Sequence, residues 1–358
     1  MFPAVGMVRR LAVAAVAALL SGCLAAGVHV ADFSRPTVRV ELEAAGMKNA
    51  QESFGAAFCR HYARLAGPDA PACDRWLLGV QAEPVHGASS AAALPPVAPA
   101  VVIIPGIFGE CVRQSVTPFS HDYAYLRQLG YQVEVVPVSG RGSSELNARA
   151  IHDFFAARPP GKVIVIGYSK GITDFMVAAT QARADAWIGR IAALVSVAGV
   201  VNGTPLASRG EKLYERIFRE IPVPTCGPAD GGGVASLGYR SATDTARAFA
   251  RARHTYRTYS VAAVVDGGPV NPVLAMGYEL LGGVDQRNDG QVLLDDAILP
   301  RSTFLGAFRA DHWSIALPFE DSRDPWMAPL SIHNHFPRRA LLAAILETLD
   351  RDLTGGQE

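Results

Sequence analysis

The sequence predicts an α/β fold with a mostly parallel central sheet and helices on both of its faces. Three observations carry this. From residue 100 onward, short apolar runs alternate with helical patterns, which is the signature of βαβ units. The runs are continuously apolar rather than alternating, as strands buried on both faces require. The 358 residues, 49% hydrophobic and 18% charged, suit one large α/β domain with attachments better than several small ones.

The elements follow in order. Ala100–Ile104 is a short apolar run stopped by Pro105-Gly106, a strand ending in a turn. A helical pattern spans 121–129, a strand 132–138 and a helix 145–157. Residues 162–166 form the next strand, 172–182 the next helix and 191–198 another strand. Residues 201–241 interrupt this rhythm with an amphipathic helical pattern, clustered prolines and Gly231-Gly232-Gly233, and are read as a cap insertion. A helix over 243–253, strands over 255–265 and 302–309, and a closing helix over 337–353 complete the domain. Upstream, 24–99 reads as a tether, a helix around 47–65, a short helix near 74–80 and a small-residue linker at 86–99, so the main domain spans 100–358.

Lys+Arg and Asp+Glu both number 33, and no long like-charge run occurs. Nothing in that balance points to nucleic acid or to electrostatic capture on an anionic surface. The first ten residues carry two arginines and no acid, and Leu11–Leu20 is apolar but too short to span a bilayer, so 1–23 reads as an export signal. Its end, Leu20-Ser21-Gly22-Cys23, resembles a bacterial lipoprotein lipobox, which implies cleavage before Cys23 and a lipid on its sulfur. The resemblance further implies an outer-membrane location, because no Asp follows Cys23. The remaining cysteines, Cys59, Cys73, Cys111 and Cys226, allow several pairings in an exported chain. Proximity in sequence favours Cys59–Cys73, leaving Cys111–Cys226. No cysteine or histidine spacing suggests zinc.

The chemistry centres on Gly167-Tyr168-Ser169-Lys170-Gly171, which follows an apolar strand and opens a helix. A sharp strand-to-helix turn would expose Ser169 Oγ, and the helix N-terminus would aim free amides at a developing oxyanion. With this context the chain resembles the α/β-hydrolase superfamily, and within it bacterial esterases and lipases, over residues 100 to about 350. The resemblance implies Ser169 as nucleophile and oxyanion donors at the amides of Lys170 and Ile107, with Phe108 the alternative to Ile107. Pro105 stands where the family usually has His, a substitution that leaves a backbone donor intact.

The superfamily's chain order, nucleophile then acid then base, leaves His254, His312, His333 and His335 among nine histidines. His312 follows an apolar strand in a loop, whereas His254 precedes one, at the wrong end of a parallel sheet. His333 and His335 are the alternatives. Arg287-Asn288-Asp289-Gly290-Gln291-Val292 resembles the turn that carries the acid in bacterial lipases, which implies Asp289, with Asp266 and Asp285 as competitors. The expected activity is carboxylic ester hydrolysis through an acyl-enzyme, without metal or other cofactor, on a small-molecule or lipid-like ester. An acyltransferase or thioesterase using the same residues, or a non-catalytic surface lipoprotein of this fold, are the alternatives.

Overall fold

The computed structural model describes residues 46–67, 70–79, 99–107, 117–208, 229–252, 254–319 and 335–354. The expectations for the export signal and Cys23, for Cys111 and Cys226, for Phe108, for His333, for most of the 86–99 linker and for the middle of the insertion lie outside these residues. The chain divides into two units, Met1–Ala31 and Asp32–Glu358, and every described residue belongs to the second.

The frame is a parallel sheet of seven strands. In chain order these are β1 (Lys48–Asn49), β2 (Ala100–Ile104), β3 (Val133–Val135), β4 (Val163–Tyr168), β5 (Ile191–Val197), β6 (Arg257–Val264) and β7 (Thr303–Arg309). They lie side by side as β1-β7-β6-β5-β4-β2-β3, every neighbouring pair parallel. Parallel neighbours need crossovers, and helices supply them. They are α1 (Gln51–Ala66), α2 (Tyr123–Gln128), α3 (Ser144–Ala157), α4 (Lys170–Ala179), α5 (Tyr239–Arg251), α6 (Ala275–Gly282) and α7 (Arg338–Thr354).

The period of two along each strand divides the core between the sheet's faces. Val101, Ile103, Ile164, Ile166, Val195 and Tyr259 point to the side covered by α1, α2 and α7. Val102, Ile104, Val163, Val165 and Leu194 point to the side covered by α3, α4 and α5. With both faces covered, the strands had to read as continuous apolar runs. The fold class predicted from sequence is the one observed, the sheet being wholly rather than mostly parallel.

Several boundaries differ from expectation. The first helix begins at Gln51 because Lys48 and Asn49 instead pair with Thr303 and Phe304, adding a short edge strand. Its apolar side then packs into the main core, where Phe58 meets Phe308 at 5.0 Å and Phe336 at 6.4 Å. The short helix expected near 74–80 is a single 3-10 turn, Cys73–Trp76, after which Leu78 donates to the Ala307 carbonyl at 3.0 Å. A disulfide joins Cys59 to Cys73. Helix α6 has no counterpart in the sequence reading.

Candidate active site

Strand β4 ends at Tyr168, and the chain reverses at Ser169 into α4. Ser169 has φ 54° and ψ −127°, a conformation that costs a non-glycine residue on the order of 1–3 kcal/mol. The flanking glycines make so tight a reversal possible. A Cβ on Gly167 would stand 3.0 Å from Ile172 Cα, and one on Gly171 would be driven into the Ile104 carbonyl oxygen. Helix α4 therefore begins pressed against the end of β2.

His312 lies in the loop after β7. Its Nε2 is 2.8 Å from Ser169 Oγ, and its Nδ1 is 2.7 Å from Asp289 Oδ2. The network assigns the tautomer: Nδ1–H donates to the carboxylate, and Nε2 accepts from the serine hydroxyl. All three side chains are buried, with Ser169, His312 and Asp289 exposed to 4%, 3% and 1%. Asp289 is fixed from its other oxygen, since Oδ1 accepts from the amides of Gln291 and Val292 at 2.9 and 2.8 Å. Gly290, at φ 91°, turns the chain there as only glycine readily does. The turn is tied to the sheet where Val265 donates to the Asn288 carbonyl at 2.8 Å.

Neither a family model nor a curated protein matches the sequence. Solved structures do match. The metagenomic carboxyl esterase MGS0156 is 27% identical, aligns over 94% of this chain and 99% of its own, and superposes with a TM-score of 0.76. The mature form of the Bacillus licheniformis lipase BlEst2 is 20% identical, over 63% of this chain and 89% of its own, with a TM-score of 0.46. The chain has the α/β-hydrolase fold.

The other predicted positions surround this series as follows. The backbone at Gly106 runs so near Ser169 that a Cβ there would stand 2.7 Å from its Cβ and 3.1 Å from its Oγ. That puts the Pro105–Ile107 turn at the serine's side, while Lys170 opens α4 on the other. Among the described residues, the amides of Ile107 and Lys170 have no acceptor. The competing histidines and acids that the structure describes lie apart from this series. His254 stacks on Phe249 at 4.1 Å, ahead of β6, and His335 is exposed. Asp266 pairs with Arg309 at 2.7 Å, and Asp285 with Arg287 at 2.7 Å. Among the described residues, no group of three or more His, Cys, Asp or Glu side chains could hold a metal ion, and no helix is long and apolar enough to cross a membrane.

Three supports escaped the sequence reading. The Tyr168 hydroxyl donates to the His312 carbonyl at 2.8 Å, a contact across 144 positions that no local pattern announces. Asp311 holds the His312 loop, its carboxylate accepting the amides of Asn271, Trp313 and Ser314 at 2.8, 3.0 and 2.7 Å. Burial pushes the Asp311 carboxyl up, against the pull of those bonds from Ser314 and Asn271. Here a signal existed, because Asp311 and Ser314 stand at capping-box spacing and each side chain bonds the other's amide. The third is the buried Lys170–Asp174 pair, at 2.5 Å.

Proposed function

We propose that the chain is a carboxylic ester hydrolase whose nucleophile is Ser169. The carrying observation is the hydrogen-bonded series Ser169 Oγ, His312 Nε2, His312 Nδ1, Asp289 Oδ2, held at the strained end of β4. The carboxyl esterase named among the similar structures supports the same reading.

In this mechanism His312 Nε2 takes the Ser169 proton as Oγ attacks the ester carbonyl carbon. The carbonyl's electron pair moves onto oxygen, where the amides of Ile107 and Lys170 receive the charge. Burial makes those dipoles count for more than they would in water. Asp289 holds the imidazole in the needed tautomer and stabilises its cation. As the tetrahedral centre collapses, the imidazolium returns the proton to the departing alcohol. Water then repeats the sequence on the acyl-enzyme and releases the acid.

We extend the proposal to location. The lipobox-like Leu20-Ser21-Gly22-Cys23 would leave the mature enzyme lipidated at Cys23 and held at the outer membrane, facing lipid-like or other apolar esters. Cys23→Ser is then expected to release an active soluble protein, and mass spectrometry showing an unlipidated wild type would refute the anchor. The central test is hydrolysis of p-nitrophenyl esters of increasing acyl length, with fluorophosphonate labelling of the nucleophile. Turnover with Ser169 labelled supports the proposal, whereas a folded protein that neither turns over esters nor takes the label sinks it.

A further inference from the structure

Helix α4 is apolar except for Lys170, Thr173 and Asp174 in its first turns. Lys170 and Asp174 are both buried, and Lys170 Nζ donates to Asp174 Oδ1 at 2.5 Å. Asp174 also accepts from Ser144 Oγ at 2.6 Å and from Asn147 Nδ2 at 2.7 Å, so the carboxylate bridges α4 to α3. Burial pushes the Asp174 carboxyl up, against the pull of the Lys170 ammonium and these hydrogen bonds.

Beyond this pair the bonds lead outward in one direction. Asn147 closes the loop before α3, accepting from the Ser139 amide at 2.9 Å and donating to the Ser139 carbonyl at 2.8 Å. That loop is clasped by the stretch where the 201–241 insertion returns to the domain. The Ser144 amide donates to Ser236 Oγ at 2.9 Å, the Gly233 amide donates to the Arg141 carbonyl at 3.1 Å, and Ser143 donates twice to Asp230.

Stability is a poor reason for such a pair. Stripping water from two charges costs about what their attraction returns, and an apolar pair of similar size is often as stable. Position is a better reason. Lys170 carries the amide next to the nucleophile, and its side chain is held at the far end by Asp174. We propose that Asp174 is a positioning residue that acts through the Lys170 side chain to fix the oxyanion-side amide beside Ser169, and through Ser144 and Asn147 ties that amide to residues 230–238 at the foot of the insertion. The catalytic part of this rests on the ester-hydrolase proposal, while the structural part does not.

The test compares wild type, Asp174→Asn and the apolar double variant Lys170→Met/Asp174→Leu on one soluble ester, alongside melting temperature and amide hydrogen exchange. Asp174→Asn is expected to lower kcat by roughly 10- to 100-fold with KM within about twofold, because the amide it displaces matters mainly in the transition state. The double variant is expected to melt near wild type yet remain slow. In both, exchange is expected to quicken at 139–144 and 230–238 together. A double variant that recovers wild-type kcat would show the pair to be merely structural and would overturn the proposal, as would unchanged exchange in both segments. If the wild type itself hydrolyses no ester, the enzymatic reading falls, and the exchange result alone still decides whether Asp174 ties α4 to 230–238.

Discussion

Asp289 and His312 are joined twice: the imidazole Nδ1 meets Asp289 Oδ2 at 2.7 Å, and the His312 amide donates to the Asp289 carbonyl at 2.8 Å. The second bond locks the Asp289 turn and the His312 loop into one unit, so the imidazole's placement does not depend on the carboxylate alone. Asp289→Asn is therefore expected to fold with the loop in place and to fail chemically, because an amide at that position favours the wrong tautomer. A fall in kcat on the order of 10⁴ is expected. Asp266→Asn, which instead weakens the pair with Arg309, is expected to leave kcat within a few-fold of wild type. Steady-state kinetics on one ester ranks the two, and the reverse order would move the acid to Asp266.

His335 offers the matching control for the base. It is exposed, whereas His312 is buried against Ser169. Ser169→Ala and His312→Ala should each cost roughly 10³-fold or more in kcat while the protein keeps its fold. His335→Ala should cost almost nothing, and an inactive His335→Ala beside an active His312→Ala would reassign the base.

Asp296 sets a pH dependence. It sits at the base of the insertion, accepting from the Tyr239 hydroxyl at 2.9 Å, and its carbonyl receives the Val201 and Asn202 amides at 3.0 and 3.1 Å. Burial pushes its carboxyl from 3.8 up to about 6; the Tyr239 bond opposes this, and the Asp295 and Asp285 charges add to it. The folded protein thus holds this proton more tightly than the unfolded chain does. Across that window the group's contribution to stability falls as pH rises, and it is fully lost above the folded value. His61 and His254, both pushed down by burial, act oppositely in the same range. The comparison is therefore between variant and wild type. Asp296→Asn should gain melting temperature over wild type at pH 7 and lose most of that advantage near pH 4; an equal difference at both would refute the assignment.

What the sequence disclosed follows from what is local. Strands β2, β4 and β5 were legible because burial on both faces leaves unbroken apolar runs. Ser169 was legible because a strand, two glycines and a helix start lie within a few residues. Strand β1 was not, because two residues, Lys48 and Asn49, carry no periodic signal and pair only with a strand some 250 positions away. Helix α6 was hidden by its composition: Ala275–Gly282 holds two glycines, and its approach to the Asp289 turn makes one of them necessary. A Cβ on Gly277 would collide with the Gly290 carbonyl oxygen. The Lys170–Asp174 pair was within reach, since opposite charges four apart on an apolar helix must either pair or unfold it. Its partners on α3 were not.

The Cys59–Cys73 bridge bears on how the N-terminal segment stays in place. Cys59 lies in α1 and Cys73, 14 positions further on, opens the 3-10 turn. Each side of the bridge is independently bound to the core. Phe54 and Phe58 pack on Phe308, and Trp76 packs on Phe336 at 5.6 Å. The bridge is thus not needed to define the native contacts, and its effect should fall on the unfolded chain, whose freedom it restricts. For a loop of this size the chain-entropy model gives about 3 kcal/mol. A Cys59→Ser/Cys73→Ser variant should lose roughly that much stability in denaturant unfolding. Its kcat at 25 °C should stay near wild type, since neither cysteine bonds to Ser169, His312 or Asp289. Wild type treated with reductant should match the variant. A folded variant with kcat reduced more than about tenfold would mean that α1 reaches the active site through contacts the bridge alone maintains.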